Sequence, residues 1–172
     1  GLSAFATAFF FHQIHFTDIK GWSHLYFVAQ IPVYTAVSVA AMLVSGWAAD
    51  RFGTGALMPI SLLPFAGGAL IFAFAQQPFA AGFGFALLGL SSGAFSTVIS
   101  AFWAEYYGTK FIGGIKAIGS AVMVFGSAMG PWLTGLAIDW GFGFDRQLVA
   151  VAVYFVATSL IVLSATRFLH EQ

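Results

Sequence analysis

Gly46-Trp47-Ala48-Ala49-Asp50-Arg51-Phe52-Gly53-Thr54 lies between two long apolar runs and holds one of the few adjacent charge pairs in a chain almost free of charge. A joint of this kind has to turn sharply, keep its charges out of hydrocarbon and hold two helices in register. Glycine gives the backbone freedom for the turn, and Asp50 with Arg51 pins the joint to a membrane surface. Hydrophobic residues make up 60% of the 172 residues and charged residues only 7%. A soluble domain is near a quarter charged. This chain cannot cover a water-facing surface, so its solvent is lipid.

The formal net charge is zero and there is no cysteine. The first argues against nucleic-acid binding, which needs a basic patch. The second excludes disulfides and thiolate metal sites. The sequence opens at Gly1 inside an apolar run, without the charged n-region of a signal peptide. The expectation is a piece of a longer protein.

Runs of about 20 apolar residues are long enough to cross a bilayer as helices. Six follow from the pattern, at about 1–17, 25–49, 56–75, 79–103, 117–138 and 148–166, the first of them truncated. Pro32 falls inside the second span, Pro59 and Pro64 inside the third, and Gly130-Pro131 breaks the fifth. The connection from Ala104 to Lys116 is the longer and more polar one, and Arg167 to Gln172 reads as a polar tail. One side of the membrane then receives Arg51, Lys110, Lys116 and Arg167, and the other Lys20 and Arg146. The positive-inside rule puts residues 50–54 and the C-terminus in the cytoplasm of a cell-membrane protein. Gly46-x-x-x-Asp50 ends the second span and Gly135-x-x-x-Asp139 ends the fifth, on opposite sides. A three-plus-three inverted repeat would leave that trace.

At this point the residues carry a resemblance. Gly46-x-x-x-Asp50-Arg51-x-Gly53 resembles the loop signature of the major facilitator superfamily, which joins the second and third helices of each six-helix half. Glu105-Tyr106-Tyr107-Gly108 resembles the acidic end of a fourth helix. Gly126-x-x-x-Gly130-Pro131-x-x-x-Gly135 resembles the Gly/Pro-rich fifth. The chain looks like the C-terminal half, with the N-terminal half absent. One departure is Thr54-Gly55, where the family loop continues with basic residues. Phe9-Phe10-Phe11-His12-Gln13 with Lys20-Gly21-Trp22 looks like a bacterial subgroup distantly similar to monocarboxylate carriers. The resemblance implies an all-helical membrane bundle and secondary transport of a small solute by alternating access, a small organic anion being one candidate. It also implies that the first, second, fourth and fifth helices line the cavity while the third and sixth face lipid. A facilitated-diffusion or drug-efflux carrier of the same fold is the alternative. A membrane-embedded enzyme or a channel subunit is the rival from another class.

The candidate residues fall into three groups. Arg51 is expected to pair with Glu105 as a latch, with Asp50 at the positive end of a helix dipole; the bland alternative is a solvated turn whose charges only set topology. His12 and His15 share a helix face, and His12, Gln13, Gln30, Tyr34, Ser92 and Ser96 are candidate contacts for solute in the cavity. Their ordinary explanations are an interfacial helix end for the histidines and helix–helix hydrogen bonds for the others. In the fourth span Gly89, Gly93, Thr97 and Ser92, Ser96, Ser100 recur at fourfold spacing, as close packing requires. Gly126, Gly130, Pro131 and Gly135 read as a bend with close packing. No Asp, Glu, Lys or Arg falls in the middle of a span. An ionisable residue for substrate or proton coupling would then belong to the absent half. No metal, cofactor or nucleotide site is expected, and coupling to a proton or ion gradient is left open.

Overall fold

A computed structural model describes residues 1–108 and 110–170, with side chains as far as residue 166. Its elements are α1 (Leu2–Phe11), α2 (Gln13–Lys20), α3 (His24–Val28), α4 (Ile31–Phe52), α5 (Thr54–Phe74), α6 (Ala80–Tyr107), α7 (Ile112–Asp139) and α8 (Phe144–His170). Five stretches are long and apolar enough to cross a membrane: α3 with α4, then α5, α6, α7 and α8. Ahead of them stands the shorter apolar α1, which leads into α2 past a one-residue break at His12.

The order of passes agrees with the sequence reading, but several boundaries do not. The second span is two helices, because Ala29 and Gln30 turn between α3 and α4. Pro32 therefore sits in the first turn of α4, not in a helix interior. A proline there removes an N–H that has no partner anyway. The joint of the opening stretch is also tighter than expected. Asp50 and Arg51 belong to the last turn of α4, and Gly53 alone separates α4 from α5. Its φ of 77° and ψ of 158° lie in a region open essentially to glycine. The long polar connection over 104–116 shrinks to the few residues around Gly108, whose φ is 69°. Glu105 and Lys116 are helical, since a charged side chain near a helix end reaches the interface without breaking the helix. The tail from Arg167 stays helical to His170. Its Glu171 and Gln172, Thr109 in the connection, and the side chain of Arg167 lie outside the described residues.

Packing is uneven. Helix α5 lies between α6 and α8 and contributes Leu62, Phe65, Ala66, Ala69, Phe72 and Ala73 to the core. Within this half α5 is the most buried of the long helices, although Ile60, Leu63, Leu70 and Phe74 stay exposed. Two hydroxyls secure it. Ser91 donates from α6 to the Ser61 carbonyl at 2.6 Å, and Ser159 from α8 to the Pro59 carbonyl at 2.8 Å. Both acceptors are carbonyls of α5 in the segment that carries Pro59 and Pro64. Thr158 and Ser164 of α8 instead bond carbonyls of their own helix, those of Tyr154 and Ile161.

The chief helix pairs are α4 with α6, α5 with α6, α5 with α8, and α1 with α7. Exchanging the first three passes with the last three turns the α4–α6 pair into α7–α1 and returns α5–α8 to itself. That is the contact pattern of a three-plus-three repeat. The counterpart of α5–α6 would be α8–α1, but these helices meet only through side chains, Phe5 against Tyr154 and Phe155 with centroids 5.4 and 5.6 Å apart, and are not packed as α5 and α6 are. At the end bearing Gly21, an aromatic cluster joins six elements. Phe9, Phe16, Phe27, Phe72, Phe85 and Phe144 meet there, Phe9 and Phe72 with centroids 4.6 Å apart. Lipid tails offer no hydrophobic drive for helix association, so close packing of this kind does the holding. By contrast α7 has no buried residue, and α4 leaves Leu43, Val44 and Trp47 exposed.

Candidate functional site

The joint at Gly53 is built from three elements. The Thr54 N–H is among the first amides of α5, which have no acceptor within their own helix. The Glu105 carboxylate, near the end of α6, accepts from that N–H at 3.2 Å and from the Thr54 hydroxyl at 2.6 Å. Thr54 is buried. A Cβ at Gly53 would stand 3.7 Å from the other Glu105 oxygen, so glycine leaves room for the carboxylate as well as for the turn. A carboxylate at the start of a helix also complements its macrodipole. Here the structure corrects the sequence reading, because no Arg51–Glu105 ion pair forms. Arg51 instead lies over the rings of Trp47 and Phe52, each 5.8 Å from the guanidinium carbon. Asp50 and Arg51 are both exposed. Thr54, read as a missing basic residue, is the side chain that receives Glu105.

Gly46 belongs to the seam between α4 and α6. A Cβ there would lie 3.8 Å from the Thr97 methyl. Farther along, Gly89 and Gly93 of α6 face the backbone carbonyls of Tyr34 and Ser38 of α4 directly. The fourfold small-residue spacing is a packing face, and one of its two rows does that work.

The other row opens on space. Ser92, Ser96 and Ser100 line a cavity of about 590 Å³ between the start of α1 and α5, α6, α7 and α8, whose wall also holds Lys116 and Ser120. Ser96 bonds the Gly93 carbonyl at 2.8 Å. The Ser92 hydroxyl is buried without a partner. A second cavity of about 570 Å³ lies between α1, α5, α7 and α8. Phe5, Phe9, Phe125 and Phe142 are on its wall, Gly126 and Gly130 form part of its α7 side, and its polar side chains are Thr134 and Gln147. Gly130 lies where a Cβ would run into the Ala4 backbone, and Pro131 follows inside α7. These residues therefore seat α1 on α7.

The remaining candidates do not join Ser92 and Ser96. His12 breaks α1 from α2, its Nδ1 3.0 Å from the Ala8 carbonyl. A Cβ at Gly135 would lie 3.5 Å from His12 Nε2. The Gln13 Oε1 is buried and unpartnered. Tyr34 stands edge-on to Phe10, 5.5 Å away. Gln30 lies beside Gly82 at the turn before α4. The His12–His15 pair gathers no third ligand among the described residues. Sequence reasoning passed over Lys116 as a cavity residue, although its place at the start of an apolar helix was a usable signal.

The sequence model of the Major Facilitator Superfamily matches residues 1–171. Among curated proteins, a probable triacylglyceride transporter of Mycobacterium leprae is 28% identical over 83% of this chain and 28% of its own length. A multidrug resistance protein B homolog of Mycobacterium tuberculosis is 34% identical over 72% of this chain and 22% of its own length. The chain thus spans about a quarter of the length of these relatives.

Proposed function

This chain belongs to the major facilitator superfamily, and from that premise we propose that it is the C-terminal six-helix half of a secondary transporter. The cargo of the full protein is a small solute, moved by alternating access. An N-terminal half, absent here, packs on the open faces of α4 and α7. The observation that carries the reading is their unequal burial. Two helices expected to line a shared cavity, α4 and α7, are the least buried of the long helices, while α5 is the most buried.

The joint at Gly53 is the gate of this reading, in a revised form. Glu105 anchors α6 to the start of α5, which leaves Asp50 and Arg51 exposed on the last turn of α4. Arg51 is then free to engage the N-terminal half in one state and release it in the other. Arg51→Gln in the full-length protein is expected to slow transport several-fold while membrane insertion and thermal midpoint stay as they were. Unchanged uptake rules out this role.

For the cargo we favour an apolar or amphipathic organic molecule, on the strength of the phenylalanine-lined cavity. The names of the mycobacterial relatives, a lipid transporter and a multidrug resistance homolog, point the same way. A small organic anion such as a monocarboxylate is the second reading, favoured by Lys116 on the wall of the cavity that Ser96 and Ser100 also line. Coupling to a proton or ion gradient would draw on an ionisable group of the N-terminal half. Liposomes holding the full-length protein separate the two readings. Saturable transport of a lipophilic dye, with none of radiolabelled lactate, is expected. Lactate transport alone would establish the anion reading.

A further inference from the structure

The strongest ionic contact in the described chain lies at the end opposite the gate. Lys20 ends α2, and its side chain is only 10% exposed. Its Nζ donates to the Ala73 carbonyl at 2.8 Å and lies 3.1 Å from Asp145 Oδ1. The same ammonium is 5.8 Å from the centre of the Phe16 ring. Each partner has a reason to want a cation. Ala73 is one residue from the end of α5, where carbonyls lack helical donors and the dipole is negative. Asp145 lies in the first turn of α8, at the positive end of that helix. Lys20 thus bridges the negative end of one helix to an acid fixed at the positive end of another.

The surrounding backbone fixes the lysine. Gly21 caps α2 in the left-handed region, at φ 65° and ψ 27°. The Trp22 N–H returns to the Thr17 carbonyl at 2.9 Å, the reciprocal bonding of a helix C-cap. The Trp22 indole then donates to the Gln76 carbonyl at 3.2 Å, just past α5. Two side chains from one turn therefore hold the end of α5. A buried lysine of this kind is costly unless paired, and all its charge compensation comes from α5, α8 and the Phe16 face.

We propose that Lys20 is a three-way clamp that locks the ends of α2, α5 and α8 into one rigid body. Movement at this end of the half is then carried by α7, which the clamp does not touch, while α3 is held to α2 by Phe27 against Phe16 and Trp22.

The test uses the full-length protein in lipid nanodiscs, with nitroxides on Asp18→Cys and Arg146→Cys and any other cysteines replaced. Both labelled positions are exposed and flank the clamp. Strong dipolar broadening of the spectrum is expected in the parent. Lys20→Met should lose most of it and Lys20→Arg should keep it. Asp145→Asn should lose only part, because Lys20 still holds the Ala73 carbonyl. The exchanged pair Lys20→Asp with Asp145→Lys should fail to restore it, since a carboxylate at position 20 would face that carbonyl. Unchanged broadening in Lys20→Met overturns the clamp. So does full recovery in the exchanged pair, which would reduce the contact to a simple ion pair. If Lys20→Met does not fold, Asp145→Asn decides alone: a partial loss supports the clamp, and no loss or complete loss overturns it.

Discussion

At the scale of single residues, Glu105 and Thr54 change how the loop signature is understood. The arginine of the signature was the expected partner of the acid, on the argument that opposite charges at one membrane surface attract. The backbone offers the carboxylate something nearer: an unpaired amide and a hydroxyl on one residue, at the positive end of a helix. A charge-assisted hydrogen bond of this type contributes about 1.5–3 kcal/mol where it is shielded. Glu105 is exposed, so water competes and about 1 kcal/mol is the better expectation. Glu105→Ala should therefore lower the thermal midpoint of the full-length protein by a few degrees, and Thr54→Val by a similar amount. The double variant should add little to either single one, because each removes the same contact. Additive losses in a melting series would show that the two residues act separately.

At the scale of elements, the seam between α4 and α6 is decided by what glycine lacks. Gly93 sits against the Ser38 carbonyl, and a Cβ added there would also reach to 3.0 Å from the Ala41 methyl. Backbone cannot yield as a flexible side chain does. Gly93→Val should thus force the helices apart, at a cost of about 1–3 kcal/mol, and reduce the yield of folded protein on size-exclusion chromatography. Ser92→Val, one residue away but facing the cavity, should leave the yield intact and alter transport. If Gly93→Val behaves like Ser92→Val, the seam is looser than the contact geometry indicates. By their fourfold spacing alone, both rows of small residues have equal standing. Only the placement of α4 shows that the glycine row packs and the serine row opens on space.

At the scale of the whole molecule, alternation puts the turns near Gly21, Gln76 and Gly141 at one end and Gly53 and Gly108 at the other. Arg51, Lys110 and Lys116 cluster toward the second end. A membrane-impermeant thiol reagent applied to intact cells should label Gln76→Cys and Phe142→Cys but reach Phe52→Cys only after permeabilisation. Labelling in the reverse pattern would invert the proposed orientation. The membrane class, the order of passes and the family were legible in the sequence. They rest on composition, on apolar run length and on a charged glycine signature, each of which acts locally along the chain. The boundaries were less so, because charged residues such as Glu105 and Lys116 can end a span without ending its helix. The candidate site was legible only in pieces. Ser92 and Ser96 share a cavity wall, whereas His12, Gln13, Gln30 and Tyr34 lie at helix breaks and seams. Pairings such as Glu105 with the Thr54 N–H, or Lys20 with the Ala73 carbonyl, join residues tens of positions apart through backbone groups. Every residue carries those groups and no residue name advertises them, so the tertiary structure alone could assign them.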